Sequence, residues 1–123
     1  MKIEVSNGEL LDKLSILEIK RAKIQDPKKL SNINSEYNLI KPLVDRMVIS
    51  VQTQYDSLLK INKSLWEIED TIRDLEQQQD FGEEFIQTAR SVYVLNDERA
   101  RIKKEINLLT NSGLTEEKSY AGY

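Results

Sequence analysis

Apolar residues recur in alternating steps of three and four through the middle of the chain, from Leu30 to Gln79. Over about seven heptads only Gln54 and the terminal Gln79 are clearly polar, which is typical of a long coiled-coil-like helix. The pattern predicts one helix over residues 27–79. Pro42 lies at the outermost heptad position, so we expect it to bend this helix, and a true break there is the alternative. The seam consists of Leu30, Ile33, Tyr37, Ile40, Val44, Met47, Val51, Gln54, Leu58, Ile61, Leu65, Ile68, Ile72, Leu75 and Gln79.

A shorter repeat before the long one predicts a first helix over residues 6–25. Ser6 and Glu9 fit the capping-box pattern at its start, in which each side chain bonds the backbone N–H of the other residue. Asp26-Pro27 then favours a tight corner, with Asp26 as the N-cap of the long helix. The seam of this first helix is Leu10, Leu14, Leu17, Arg21 and Ile24.

A third repeat predicts a last helix over residues 83–111. The helix begins with the acidic pair Glu83-Glu84, which suits the positive end of the helix dipole. Asn111-Ser112-Gly113 provides the residue types that commonly end a helix. Its seam is Phe85, Thr88, Val92, Leu95, Arg99, Ile102, Ile106 and Leu109.

Together the three repeats predict an all-α fold in one domain, with a long central helix and two antiparallel flanking helices that form coiled-coil-like helical hairpins. Because the connections are short, each flanking helix folds back onto the central one. The two flanking helices are then expected to meet end to end near its middle, which brings the chain ends together. Residues 1–5 and 114–123 are expected to be short extended segments, with residues 3–5 paired with residues 117–119.

Charge and composition limit the classes of partner. The 123 residues include 18 Lys and Arg against 21 Asp and Glu, so no general attraction to nucleic acid or to an anionic membrane is expected. The chain has neither cysteine nor histidine, which excludes thiolate and imidazole chemistry and the usual zinc sites. We therefore expect no metal and no cofactor. Because there is no signal-peptide run and no apolar stretch of about 18 residues, a cytoplasmic protein is expected.

Two arginines occupy seam positions where an apolar residue is expected. By the antiparallel register Arg99 lies within reach of Glu69 or Asn62, and Arg21 lies near Glu36. A guanidinium at such a position fits a structural ion pair that fixes the register of the helices, and we expect this role for Arg99 with Glu69. The functional alternative is an anion or carboxylate site inside a helical bundle, where guanidinium offers paired hydrogen bonds.

The segment 89–101 concentrates Arg, Asn, Asp and Tyr within three helical turns. Such density is compatible with a binding pocket and equally with a solvated helix surface. Trp66, just off the long seam, either packs between helices or anchors a dimer. No catalytic residue is indicated. The candidates for ligand binding are Arg21, Arg90, Asn96, Asp97, Arg99 and Arg101.

Residues 4–20 resemble the opening of an uncharacterised family of small helical proteins from bacteria and their phages. Similar stretches follow at residues 65–70, at residues 89–107 and at residues 116–120, so the resemblance spans nearly the whole chain. The family carries no assigned activity and implies no catalytic residue. Some bacterial members are encoded beside sugar-transferase genes, which implies a connection with envelope polysaccharide.

A second resemblance is to the all-helical chorismate mutases, which place Arg, Lys and Glu around a dicarboxylate. Residues 10–14, followed by Lys20-Arg21-Ala22, look similar to their first helix. The longest helix is predicted to be second here rather than first, which departs from that pattern and leaves the active-site correspondence open.

The sequence thus favours a non-enzymatic helical assembly or adaptor protein. We expect a homodimer, with a protein partner as a further option, because several apolar residues lie off the main seam. The alternative is a small-molecule enzyme or anion-binding module of the chorismate-mutase type. The off-seam residues on which the dimer prediction rests are Leu11, Ile16, Ile19, Val48 and Leu59.

Overall fold

The computed structural model describes residues 1–122, and this part of the chain is all-helical. It contains four helices, α1 (Asn7–Lys23), α2 (Pro27–Ser50), α3 (Gln52–Gln77) and α4 (Glu83–Leu109). The predicted all-α class is confirmed. No strand is present in residues 1–122, so the predicted pairing of residues 3–5 with residues 117–119 is wrong. Within the same range no helix is both long and apolar enough to cross a membrane.

The single long helix predicted over residues 27–79 is wrong, because it is interrupted at Val51. Val51 has φ -127° and ψ 37°, outside the helical region, and its side chain is buried in the core. Hydrogen bonding nevertheless continues through the break, since the Val51 N–H donates to the Met47 carbonyl and the Tyr55 N–H donates to the Val51 carbonyl. The apolar repeat therefore keeps its phase across two separate helices.

Pro42 does not break α2, which runs through it to Ser50. Its ring lies on the exposed side of the helix, where water can solvate the carbonyl group that a proline leaves without a donor. The sequence therefore identified the wrong residue as the weak point of the long segment, and Val51 is the point at which the chain leaves the helical conformation.

Local capping residues fix three helix ends as predicted, although the Glu9 carboxylate bonds Lys103 rather than the Ser6 N–H of the predicted capping box. The Ser6 hydroxyl accepts from the Glu9 N–H at 3.1 Å, and an Asp26 carboxylate oxygen accepts from the Lys28 N–H at 3.2 Å. At the end of α4, Asn111 takes a φ of 52° and the Ser112 N–H donates to the Asn107 carbonyl at 2.8 Å. This is the Schellman arrangement, with asparagine in the left-handed position that is usually glycine.

Helix α1 is the centre of the packing, because it contacts α2, α3 and α4, while α4 also packs on α3. The prediction that the first and last helices meet end to end is therefore wrong, since they lie side by side. The chain ends do come together, as expected. The shared core is formed by Leu11, Leu14, Leu17, Tyr37, Ile40, Val44, Val51, Tyr55, Leu58, Ile61, Ile102 and Ile106.

Burial of α1 on several sides corrects the argument for a dimer. Leu11 and Ile19 are buried in the single chain, and Ile16, Val48 and Leu59 are partly buried there. Leu11, Ile19 and Val48 therefore pack within the chain itself and do not require a partner. Trp66 on α3 is also partly buried within the single chain.

Candidate functional site

A buried carboxylate, Asp12, lies where α1, α3 and α4 meet, and its side chain is only 1% exposed. Arg99 of α4 donates from Nε to Asp12 Oδ1 at 2.9 Å and from a terminal nitrogen to Asp12 Oδ2. Asn62 of α3 donates to Asp12 Oδ1 at 2.9 Å. Asp12 is thus a carboxylate bound by two other helices, and two-point binding by arginine fixes direction as well as distance.

The partner of Arg99 differs from the predicted one. Glu69 lies on the exposed surface of α3, where it accepts from Arg73 Nε at 2.7 Å. The expectation that Arg99 forms a carboxylate pair is met, but the prediction that Glu69 provides the carboxylate is wrong. The register argument considered only α3 beside α4, whereas α1 lies against both and offers Asp12.

Gly8 allows α1 to approach α4 closely enough for this pair. A methyl group at Gly8 would collide with the backbone carbonyl of Lys103, so any other residue there forces the helices apart. The Gly8 N–H donates to Asn107 Oδ1 at 2.6 Å, and the Asn7 N–H donates to Ser112 Oγ at 3.0 Å. Side chains at the end of α4 therefore satisfy N–H groups that the first turn of α1 leaves without helical partners.

Asn62 and Ser15 complete the hydrogen bonding around Asp12. The Asn62 amide donates to Ser15 Oγ at 2.7 Å as well as to Asp12, and the Ser15 hydroxyl donates to the Asp12 carbonyl at 2.7 Å. Among the described residues no buried side-chain polar atom lacks a hydrogen-bond partner. A satisfied network of this kind is compatible with a stable core, whereas an unpaired buried carboxylate is not.

Lys103 lies one helical turn beyond Arg99 and is surrounded by three carboxylates. Its ammonium group lies 2.6 Å from Glu9, 3.2 Å from Glu116 and 4.0 Å from Asp12, and its side chain is only 12% exposed. Burial lowers the pKa of Lys103, but the Glu9 hydrogen bond, the Asp12 charge and the Glu116 hydrogen bond together outweigh burial and raise it. Lys103 therefore stays charged and is unsuited to act as a nucleophile or base.

Arg99 and Lys103 join three carboxylates in what we call the ion cluster. The hydrogen bond with Asp12 raises the pKa of Arg99 more than its burial lowers it. Both side chains are therefore charged, and each is already paired with a carboxylate of the same chain. The arrangement can position helices and bind acidic groups, and it offers no free general base beside its cations. The members of the ion cluster are Glu9, Asp12, Arg99, Lys103 and Glu116.

The C-terminal tail (residues 114–122) lies along α4 beside this cluster. Glu116 pairs with Lys103, and Glu117 pairs with Lys104 at 3.0 Å. Open clefts remain between tail and helix, one of about 280 Å³ that includes Arg101 and one of about 200 Å³ that includes Arg99. The tail is thus held through its charges while much of the space beside it stays open.

The predicted ligand-binding residues of α4 lie in three different places. Arg99 belongs to the ion cluster, and Asn96 accepts from one of its terminal nitrogens at 3.3 Å. Asp97 and Arg101 line the cleft under the tail, where Arg101 also lies 3.5 Å from Glu98. Arg90 lies apart on the exposed side of the helix, with its Nε 3.4 Å from the Tyr93 hydroxyl.

Arg21 is not part of this site. Its Nε donates to Asn34 at 2.9 Å, and its guanidinium lies 3.9 Å from the centre of the Tyr37 ring. The prediction that Glu36 is its neighbouring acid is wrong, since Glu36 pairs with Lys13 at 2.8 Å. Arg21 therefore joins α1 to α2 through a cation–π contact at the opposite end of α1.

Sequence reasoning missed Glu9, Asp12 and Lys103 as site residues. It did place Asn62 near Arg99, and both residues donate to Asp12 Oδ1. The sequence of α1 did indicate a second contact surface, because a second row of residues at helical spacing lies beside the leucine seam. All of its members are buried, and it includes glycine, aspartate and serine, which marks a second helix contact. This row is Gly8, Leu11, Asp12, Ser15 and Ile19.

Comparison with known proteins identifies a family whose function is unknown. Residues 1–123 match a family of unknown function (DUF6165). No curated protein and no solved structure matches the chain.

Proposed function

The chain belongs to this family of unknown function over its whole length, and we propose that it is a non-enzymatic assembly protein that forms a homodimer through α2. The single observation that carries the proposal is an apolar strip on the outer side of α2. Leu39, Leu43 and Ile49 are 72%, 76% and 73% exposed there. With Pro42 they form what we call the outer strip.

Helical spacing places the outer strip on one face. Leu39, Pro42 and Leu43 stand at positions i, i+3 and i+4, and Ile49 follows Pro42 by seven residues. The opposite face of α2 carries the buried Tyr37, Ile40 and Val44. Because α2 packs on the chain through that inner face, the outer strip is available to a partner. Arg46 lies on the same face as the strip by this spacing, and exposed apolar side chains grouped on one helix face are typical of interaction sites.

A second copy of the chain is the occupant that the charges favour. Two α2 helices packed antiparallel about Leu43 bring each outer strip onto the other, as a two-fold interface requires. The same pairing brings Arg46 within about one helical turn of Glu36 of the second copy. Arg46 has no ion pair among residues 1–122. Glu36 pairs with Lys13 on the surface but remains partly exposed, so it can also accept from Arg46 of the second copy.

The other elements of the proposal have separate support. An antiparallel pairing of α2 would be coiled-coil-like, with the outer strip as its seam, because the apolar repeat itself is buried within the chain. The resemblance of residues 4–20 supports an origin in bacteria or their phages. It also supports a role connected with envelope polysaccharide, because some members of the family are encoded beside sugar-transferase genes. The composition supports a cytoplasmic location.

The ion cluster bears on the alternative function, a small-molecule enzyme or anion-binding module of the chorismate-mutase type. That function requires cations open to a small dicarboxylate. Arg99 and Lys103 are instead engaged by carboxylates of the chain itself. While the tail is in place, neither cation is therefore open to a small dicarboxylate, so the assembly role is the preferred proposal.

Sedimentation velocity over a range of protein concentrations tests the proposal. We expect the wild-type chain to sediment as a dimer at micromolar concentration and Leu43→Glu to sediment as a monomer. Because Leu43 is exposed in the single chain, its replacement should change the free energy of unfolding of the monomer by less than about 0.5 kcal/mol.

Leu108→Glu is the matched control, because Leu108 is an equally exposed leucine on α4, away from the outer strip. This variant should remain a dimer. A wild-type chain that is monomeric at high micromolar concentration would contradict the proposal, as would a Leu43→Glu variant that still dimerises.

A further inference from the structure

The C-terminal tail is a non-helical segment that α4 binds by two ion pairs, Lys103 with Glu116 and Lys104 with Glu117. We propose that this groove on α4 is a binding site for an acidic, extended peptide segment of a partner protein, and that the tail occupies it in cis. The inference concerns a surface other than the outer strip of α2 and does not depend on the proposed dimer.

The helix side of the groove is held in place before any peptide binds. Arg99 is fixed by its two bonds to Asp12, and the Lys103 ammonium is fixed by Glu9 at 2.6 Å. Neither side chain therefore loses much conformational freedom when a carboxylate arrives from outside, and preorganised cations bind acidic groups with less entropic cost.

The tail side of the groove is weakly attached. Residues 113–122 are exposed, and the side chains of Lys104 and Glu117 are 48% and 68% exposed. Ion pairs this open to water contribute little to stability and are screened by salt. The clefts of about 280 Å³ and 200 Å³ show that the tail leaves much of the groove unfilled. A tail held in this way can be displaced.

The cis-bound tail indicates what the groove recognises. Two consecutive carboxylates engage two consecutive lysines, and Tyr120 follows Glu116 by four residues. Tyr120 lies beside a cleft of about 630 Å³ that Val92 and Tyr93 also line. The matching ligand is therefore an extended segment with two adjacent acidic residues.

A labelled peptide with the sequence of residues 114–120 tests the proposal by fluorescence anisotropy. The proteins are the full-length wild type, the double variant Glu116→Gln/Glu117→Gln and the same double variant with Lys104→Glu added. A tethered competitor acts at an effective concentration of roughly millimolar. Removing its charges should therefore strengthen peptide binding about tenfold or more, and adding Lys104→Glu should reverse the gain.

A peptide with glutamine in place of both glutamates is the matched ligand control, and it should not bind. Binding of the acidic peptide should weaken as salt increases. The assay is repeated in the Leu43→Glu background, so that the proposed dimer does not affect its outcome. Lys104 is an exposed residue, and a thermal melt of each variant checks that it remains folded.

Three results would overturn the inference. The first is a double variant that binds the peptide no more tightly than the wild type does. The second is equal binding of the glutamine peptide. The third is self-association of the Leu43→Glu chain that is abolished when Glu116→Gln/Glu117→Gln is added. That result would show that the groove takes the tail of another copy rather than a segment of a different protein.

Discussion

Asp12 and Arg99 lie 87 residues apart in the chain and form a two-point ion pair that joins α1 to α4. Apolar contacts between helices tolerate sliding, whereas this pair is satisfied in only one register. Asp12 is buried, while the Arg99 side chain is 27% exposed. The pair therefore fixes how α1 lies on α4 and leaves the guanidinium partly accessible at the groove.

The first prediction concerns the stability that this pair provides. Arg99→Met leaves a buried carboxylate without its main partner, so we expect a loss of about 3 kcal/mol in the free energy of unfolding. Glu69→Gln is the control, because the exposed pair of Glu69 with Arg73 should contribute less than about 1 kcal/mol. Urea unfolding measures both. Equal and small losses for the two variants would refute a structural role for the pair.

The second prediction concerns the close approach at Gly8. Gly8→Ala places a methyl group against the Lys103 carbonyl and weakens the hydrogen bond to Asn107, so we expect a loss of about 2 kcal/mol or more. Gly113→Ala is the control, since nothing lies within 4 Å of the added methyl group there. Its unfolding midpoint in urea should barely change. If the two alanine variants unfold at the same midpoint, the close approach is not needed.

The third prediction concerns the end of α3, where Gln79 has a φ of 55°. The Asp80 N–H donates to the Leu75 carbonyl at 2.9 Å, so the helix ends in a Schellman arrangement with glutamine in the left-handed position. Gln79→Gly should stabilise the fold by about 1 kcal/mol because glycine adopts this conformation without strain. Gln87→Gly inside α4 should instead destabilise it by about 1 kcal/mol. Thermal melts of both variants should move in opposite directions, and a fall in melting temperature for Gln79→Gly would count against the prediction.

The fourth prediction is a pH dependence caused by Lys103. Its pKa is higher in the folded chain than the ordinary value of 10.5, so its contribution to stability is complete below pH 10.5. That contribution is lost as the pH rises through the folded value. The free energy of unfolding should fall less steeply at alkaline pH in Lys103→Met than in the wild type. Lys60 is an exposed lysine without an ion pair among residues 1–122, so Lys60→Met should keep the wild-type slope of unfolding free energy against pH. If Lys103→Met also kept the wild-type slope, the prediction would be disproved.

Helix ends were predictable because capping depends on neighbouring residues. Ser6, Asp26 and Asn111 each act within a few residues of their own position, so their roles can be inferred from the sequence alone. The all-α class follows for the same reason, since the spacing of apolar residues along a helix is a local property.

The break at Val51 could not be seen in that spacing. Its N–H still bonds Met47, so the repeat continues in phase from α2 into α3. Both helices lie against α1, and contacts of this kind come from packing rather than from local propensity. The sequence predicted a bend at Pro42 instead, because the effect of proline on a helix is local.

The site was only partly predictable for a related reason. A guanidinium at a seam position indicated that Arg99 needs a carboxylate, and this requirement does not depend on the fold. The identity of the carboxylate does depend on it, because Asp12 reaches Arg99 only when α1 packs beside α4. Gly8 and Asn107 permit that packing, and their effect appears only once the two helices are brought together.

Cross-linking between copies tests the proposed α2 dimer most directly, because the chain has no cysteine and a single one can be introduced. Leu43→Cys treated with a short bis-maleimide at low micromolar concentration should give a covalent dimer in high yield. Leu108→Cys, an equally exposed position on α4, should give little. Monomeric Leu43→Cys after complete reaction, or equal cross-linking at both positions, would contradict assembly through the outer strip of α2.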